Sequence, residues 1–182
     1  MISSERSQNI IVAFLIISAM VSSVFLVGNV QYYSGSYVLA GRMNVNLVEV
    51  LAGNVDQENE SIYPFLSFTF NFQTDSPIEG NVRLTVIYGT VWLNDDLLSY
   101  TVFNRYLNND ADQLLHPGYD SNFTLASEIN SETDRNTVLQ ADMVDTWNWY
   151  IRLRYTFITF DEAQSQTSRT LYFNATGVTI VT

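Results

Sequence analysis

The hydrophobic pattern of the chain changes near residue 29. Residues 10–28, IIVAFLIISAMVSSVFLVG, form an apolar run of 19 residues without a charge, and from about residue 44 apolar and polar residues alternate instead. A helix of this length reaches roughly 28 Å, close to the roughly 30 Å hydrocarbon thickness of a bilayer. The run therefore predicts a transmembrane helix, and the alternation predicts β-strands.

A cleaved signal peptide is the alternative interpretation of the run. The apolar part of a signal peptide is usually about 7–15 residues long and ends at a small-x-small cleavage site. Ala19 is too deep in the run to form such a site, and Val38-Leu39-Ala40 lies about ten residues beyond its end. These features favour a retained signal anchor.

The anchor divides the chain into four predicted segments. Residues 1–9 form a short cytoplasmic N-terminus and residues 10–28 form the signal-anchor helix. Residues 29–42 form a linker, with Gly35 and Gly41 as flexible points. Residues 43–182 form one extracellular domain, long enough to bury a core of its own.

The alternation in the domain predicts about seven strands. In 65–73, the side chains of Leu66, Phe68, Phe70 and Phe72 fall on one face, and in 149–160 those of Trp149, Ile151, Leu153, Tyr155 and Phe157 do the same. The remaining predicted strands are 44–51, 81–93 with a bulge at Gly89, 97–103, 122–129, and 168–182 with a bend at Gly177. This spacing is typical of an all-β, antiparallel β-sandwich.

One short helix is predicted within the domain. Ser131 or Thr133 can cap its N-terminus, and Leu139, Met143 and Trp147 recur at intervals of four on one helix face.

The segments FTFNFQTDSPIEGNVRLTVIYGTVWLNDDLLS (68–99) and TVLQADMVDTWNWYIRLRYTF (137–157) resemble a known family. Together with the N-terminal anchor and the order of the elements, they look like the late-embryogenesis-abundant group 2 domain, also called the water-stress-and-hypersensitive-response (WHy) domain. The chain has Ser76-Pro77 where the family usually has Asn-Pro. The resemblance implies an immunoglobulin/fibronectin-like sandwich and a membrane-associated or protective role, and it implies no catalytic residues.

Charge and composition exclude several classes of protein. The formal net charge is −11, and a field of this sign repels nucleic acid and anionic lipid. The sequence contains no Cys, so disulfides and thiol chemistry are excluded, and its eight basic residues are all Arg.

Three acceptor sequons for N-glycans occur in the domain, at Asn59, Asn122 and Asn174. Asn59 is the best candidate because it lies in an acidic loop. Asn174 lies within a predicted strand and is usable only if that face points outward.

Candidate catalytic and metal-binding residues are few. Carboxylates pair at Glu58/Glu60, Asp95/Asp96, Asp110/Asp112 and Asp161/Glu162, where solvated acidic loops are a simpler interpretation than calcium or glycosidase sites. His116 is the only His, in a His-Pro-Gly turn, so His/Cys metal clusters and Cys-His nucleophiles are excluded. We predict no catalytic, cofactor or metal site, and therefore no enzyme.

Arg152 and Arg154 are the candidate partner-binding residues. Alternation puts both on one face of the 149–160 strand, beside Tyr150. They could bind carboxylates of a partner. The commoner arrangement is an ion pair with Asp or Glu on neighbouring strands.

The sequence thus predicts a single-pass membrane protein that displays an acidic β-sandwich outside the cell as a structural or interaction module. Its partners would be membrane lipid through residues 10–28, and other membrane or surface-layer proteins or copies of itself. The alternative is a secreted subunit of a surface filament, in which residues 36–51 leave their own sandwich and complete the sheet of the next subunit.

Overall fold

The computed structural model describes residues 5–59, 62–77, 79–80, 82–159 and 166–181. In this part of the chain, a long N-terminal helix is followed by a domain made mostly of β-strands. The elements are α1 Glu5–Gly41, β1 Met43–Gly53, β2 Phe65–Thr74, β3 Val82–Leu93, β4 Asp96–Leu97, β5 Phe103–Tyr106, α2 Asp110–Gln113, β6 Leu114–Leu115, β7 Asp120–Glu128, α3 Glu132–Met143, β8 Asn148–Thr159, β9 Gln166–Thr176 and β10 Thr179–Val181.

The strands form two sheets. The first has four strands in the order β10-β1-β2-β7, in which β1, β2 and β7 are antiparallel and β10 joins β1 in parallel. The second has six strands, with β4-β3-β8-β9 in sequence and the short β5 and β6 also paired to β3. The predicted fold class, mostly β behind an N-terminal apolar helix, is confirmed at this level.

The core lies between the two sheets and is rich in aromatic rings. The alternation predicted for β2 and β8 is confirmed, because Leu66, Phe68, Phe70 and Phe72 and the five predicted residues of β8 are all buried. The ring of Phe68 packs edge-on against Trp149 at 5.3 Å and against Phe103 at 5.2 Å, so the first sheet contacts the second directly. Edge-to-face geometry suits the ring quadrupoles and adds stability beyond burial.

The helix α1 continues through the segment predicted as a linker. It ends only at Gly41, and one side of its last two turns packs against the domain, where Gly35, Ser36, Leu39 and Ala40 are buried. In the structure the predicted linker 29–42 is helical up to Gly41, with Gly35 buried and Gly41 exposed at the helix end. Burial of this end against β3 and β8 stabilises the helix where glycine propensity alone would end it.

An arginine from the second sheet holds the end of α1. Arg169 on β9 donates a hydrogen bond from Nη1 to the carbonyl oxygen of Gly41 at 3.1 Å, which satisfies one of the free carbonyls of the last turn. The same guanidinium interacts with the buried Tyr155. The helix is thus joined to the domain by core packing and by a cationic cap.

The long strand β3 has its bulge at Thr85 and not at Gly89 as predicted. The pairing of β3 with β8 shifts between Leu84 and Val86. Gly89 instead allows a close approach, since a Cβ there would lie 3.2 Å from Leu125 Cδ1 and 3.4 Å from Phe103 Cβ. A glycine within a strand can mark either feature, and here it marks the close approach.

Two predicted strands are divided in the structure. The segment 97–103 contributes only Leu97 to β4 and Phe103 to β5, with irregular chain between. The terminal segment breaks at Gly177, as predicted, where φ is +81°. There the chain leaves the six-stranded sheet after β9 and enters the other sheet as β10.

The helix α3 is capped by Ser131, as predicted, but buries a different face. The Ser131 side chain accepts a hydrogen bond from the backbone N–H of Asp134, and Asp134, Val138 and Ala141 are buried. Met143 is 64% exposed, so the predicted face through Leu139, Met143 and Trp147 is wrong. The sequence pattern did not reveal the buried face, because one of its three buried residues is an aspartate.

Candidate interaction surface

The outer side of the six-stranded sheet carries aromatic rings and guanidinium groups. Alternation along β3, β8 and β9, together with their register, places nine outward side chains in three rows, which we call the front face. The front face consists of Tyr88, Thr90, Trp92, Tyr150, Arg152, Arg154, Thr170, Tyr172 and Asn174. It contains four aromatic residues, two cations and no carboxylate.

The rings of the front face pack against each other and against Arg152. Trp92 and Tyr150 have ring centroids 5.1 Å apart, and Tyr150 stacks on Tyr172 with centroids 5.9 Å apart and planes 10° from parallel. The Arg152 guanidinium lies over the Trp92 ring, 5.7 Å from its centroid, and Nη2 donates to Thr90 Oγ1 at 3.3 Å. These contacts hold the charge in place before any partner binds.

Arg154 lies two residues further along β8 and is also exposed. Its Nη2 donates to Ser168 Oγ at 3.4 Å. In the described part of the chain, neither Arg152 nor Arg154 contacts a carboxylate, so the expected ion pairs with neighbouring strands are not present there. The outward placement of both arginines on one face is as predicted.

The outer side of the four-stranded sheet has the opposite character. Nine of the outward residues of β1, β2 and β7, in the three rows nearest the start of β1, are what we call the back face, and they contain two carboxylates, five amides and two threonines. They are Asn44, Asn46, Glu49, Thr69, Asn71, Gln73, Asp120, Asn122 and Thr124.

The back face is organised around Asp120. Asn71 Nδ2 donates to Asp120 Oδ1 at 2.6 Å, and Gln73 Nε2 lies 3.3 Å from Asp120 Oδ2. Thr69 and Thr124 share a hydrogen bond at 3.0 Å. The domain therefore has a cationic aromatic side and an anionic amide side, on opposite outer surfaces.

The three sequons lie in different surroundings. Asn122 is exposed on the back face. Asn174 is exposed on the front face, so its side chain points outward, as glycosylation at this position requires. Asn59 is exposed in the loop after β1, where its carbonyl accepts from Arg135 Nη2 at 3.1 Å. Residues Glu60 and Ser61 of this sequon lie outside the described residues.

The predicted acidic pairs do not assemble into a site within the described ranges. Asp95 and Asp96 are exposed in the β3–β4 turn, and Asp112 is half-buried. Glu60, Asp161 and Glu162 lie outside the described residues, as does the side chain of Asp110. Among the residues that the structure describes, no three His, Cys, Asp or Glu side chains are placed to hold a metal.

His116 lies in an exposed turn, as predicted. Its carbonyl accepts from the backbone N–H of Tyr119 at 3.0 Å, and Gly118 has a φ of +72°. Pro followed by Gly at positive φ fits a type II turn.

A groove of about 450 Å³ runs between β1 and the β9–β10 connection. Its lining, from Leu47 to Val50 and from Ala175 to Thr179, holds a single ionisable residue, Glu49.

Sequence patterns found the two arginines of the front face but missed most of its rings. Tyr88, Trp92 and Tyr172 alternate with buried residues in their strands, and this alternation is the signal that could have found them. Their convergence depends on the register of β3 and β9 against β8, which one sequence does not give.

Comparisons with known proteins identify no family. No family model matches the chain, and no curated protein matches it. Among solved structures, a crystal structure of a protein from Archaeoglobus fulgidus matches with 5% sequence identity and a TM-score of 0.43, covering 77% of this chain and 97% of that one. The resemblance to the WHy domain therefore stays a prediction.

Proposed function

We propose that this protein is a single-pass membrane protein that holds an acidic β-sandwich of immunoglobulin/fibronectin-like type outside the cell, as a structural and interaction module and not as an enzyme. The observation that carries the proposal is the form of α1. By length and composition the helix from Ser7 to Gly41 is able to cross a membrane, and its most apolar part is not buried in the protein. Its C-terminal end is part of the domain core.

The burial at this end supports retention of the anchor. Cleavage near residue 41 would remove Leu39 and Ala40, which are 0% and 2% exposed, and would leave their core contacts empty. Burying a leucine side chain stabilises a fold by roughly 1.5–3 kcal/mol. A processed chain would lose that contribution together with the Arg169 cap.

The filament alternative would require β1 to leave its own sheet. In the structure β1 pairs with β2 over ten residue positions, from Met43 to Gly53 with a bulge at Val48, and Met43, Val45 and Ala52 are buried. We therefore place strand exchange second to the anchored module.

The first experiment identifies the N-terminus and the location of the native protein. We expect an intact mass that begins at or near Met1, recovered in the membrane fraction and resistant to carbonate extraction. A chain that begins near residue 29 or 41 and is recovered in sheared material would contradict the anchor and favour a secreted subunit.

Orientation is tested with single cysteines, which is straightforward because the chain has none. Thr170→Cys places a thiol on the exposed domain surface, and Ser7→Cys places one before the apolar run. A maleimide that does not cross membranes should label Thr170→Cys on intact cells and Ser7→Cys only after lysis. The reverse pattern would place the domain inside the cell.

A further inference from the structure

The two outer faces of the domain carry formal charges of opposite sign, and Glu128 adds a further carboxylate on the side of the back face. The front face holds Arg152 and Arg154, and the back face holds Glu49 and Asp120. The rest of this acidic surface repels another acidic surface. The front face can approach a carboxylate-bearing surface without that repulsion. Two copies therefore approach each other most favourably when a front face meets a surface with carboxylates.

The composition of the front face also favours a protein partner. Trp, Tyr and Arg are the residues that most often dominate binding energy at protein interfaces. The parallel planes of Tyr150 and Tyr172, at 5.9 Å, turn the ring faces toward each other. The Trp92 ring is covered by Arg152. The rings therefore do not form an open platform for stacking on sugars.

We propose that copies of this chain in one membrane associate front to back, with the guanidinium groups of one front face against the carboxylates of the next back face. This inference rests on the proposed membrane anchoring, which concentrates the copies and holds them in one orientation. The partner of the interaction module is then a second copy of the same chain.

The heights of the charged groups fit such a contact. Ring contacts between the two sheets relate the levels of these groups. Glu49 pairs with Thr69, which lies between Phe68, whose ring contacts Trp149, and Phe70, whose ring contacts Phe173 opposite Ile151. Asp120 pairs with Gln73, next to Phe72, whose ring contacts Tyr155. Copies standing side by side on parallel anchors would therefore bring Arg152 of one near the level of Glu49 of the next, and Arg154 near the level of Asp120.

The contact is heterologous, because it joins two different surfaces. Such a contact gives a closed ring if the rotation between copies closes, and an open row if it does not. The front and back faces lie on opposite sides of the domain, so little rotation is needed and an open row along the membrane is expected.

The test uses the full chain in membranes and two single-cysteine variants. Thr170→Cys lies on the front face, and Asn46→Cys lies on the back face, where both native residues are exposed. A short bismaleimide cross-linker should give covalent dimers when the two variants are co-expressed, and none when either is expressed alone. A pair of Thr170→Cys with Gln140→Cys, on α3, is the control and should not cross-link.

Charge variants test whether the arginines carry the contact. The R152Q/R154Q double variant should lower the cross-link yield about fivefold, the effect of losing two exposed ion pairs. The T133E/Q140E variant changes the net charge by the same amount on α3, away from both faces, and should leave the yield unchanged.

Three outcomes would overturn the inference. Cross-linking of Thr170→Cys with itself would mean a front-to-front dimer. No cross-link in a chain that resists carbonate extraction would reject the self-contact while leaving the proposed function intact. Binding of alginate by wild-type protein, lost in R152Q/R154Q and without any cross-link, would assign the front face to an acidic polysaccharide. A chain that is not in the membrane fraction would instead reject the anchor.

Discussion

At the scale of single residues, the least expected side chain is the buried Asp134. It is fully buried in α3, and its Oδ2 accepts hydrogen bonds from the backbone N–H of Tyr100 at 3.0 Å and from Thr101 Oγ1 at 2.7 Å. The carboxylate therefore joins α3 to the chain between β4 and β5. These hydrogen bonds offset part of the cost of burying the carboxyl group, whose Oδ1 has no hydrogen-bond partner among the described residues.

Replacing this carboxylate tests its structural role. We expect Asp134→Ala to lower the free energy of unfolding by about 2–3 kcal/mol, because two donors lose a charged acceptor. The matched control is Glu132→Ala, which removes an exposed carboxylate from the same helical turn. Urea unfolding of both variants measures the difference, and equal stabilities would contradict this role.

Tyr119 is expected to make the folded protein less stable at alkaline pH. Burial raises the pKa of its hydroxyl to about 12, and the hydroxyl donates to the carbonyl of Asp112 at 2.6 Å. A phenol of raised pKa keeps its proton longer in the folded state than in the unfolded state, so its contribution is complete below pH 10 and is lost as pH rises from 10 through 12.

We therefore expect the free energy of unfolding to fall between pH 10 and 12, by about 2 kcal/mol from this group. Tyr119→Phe should show a shallower fall over the same interval, although its stability at pH 8 is lower. Urea titrations at pH 8, 10 and 11 give the slopes. Identical slopes in the two proteins would show that Tyr119 does not titrate in this way.

At the scale of elements, the joint between α1 and the domain is the most informative feature. A Cβ at Gly80 would lie 2.5 Å from the backbone nitrogen of Ser36, which is closer than such atoms pack. Gly80→Ala therefore forces the end of α1 away from the domain, at a cost of about 1–3 kcal/mol. At Gly28, nothing lies within 4 Å of an added Cβ, so Gly28→Ala is the matched control.

Limited proteolysis and thermal unfolding in detergent measure the effect of these changes. Gly80→Ala should lower the unfolding temperature and expose the chain near residues 35–42 to protease, and Gly28→Ala should do neither. Equal protease resistance in the two variants would mean that α1 is not held at Gly80.

The elements also show what sequence reasoning could recover. The strands β2 and β8 were predicted well, because unbroken alternation of large apolar with polar residues seldom occurs outside half-buried strands. The extension of α1 to Gly41 was not predicted, because Gly35 and Gly41 look like flexible points until their packing partners are known. The same limit applies to α3, whose buried face contains an aspartate, and to Gly89, whose role depends on Phe103 and Leu125.

At the scale of the whole molecule, the arrangement of charge is as informative as the fold. The sequence shows a net charge of −11 and places two arginines on one strand face. It does not show that the opposite sheet carries Glu49 and Asp120 outward, because that depends on a bulge at Val48 and on the pairing of β2 with β7. The candidate surface is therefore a property of register, which sequence alone leaves open.

Because α1 is one continuous helix, a change in its tilt also moves the domain attached to its C-terminal end. Where α1 spans a bilayer, a thinner membrane increases its tilt. Because one side of the last two helical turns packs in the domain and Arg169 binds the last carbonyl, we expect the domain to turn with the helix. A tilt of about 10° moves the far end of strands about 35 Å long by roughly 6 Å. In the proposed anchored form, the thickness of the lipid layer would thus shift the far end of the domain without any ligand.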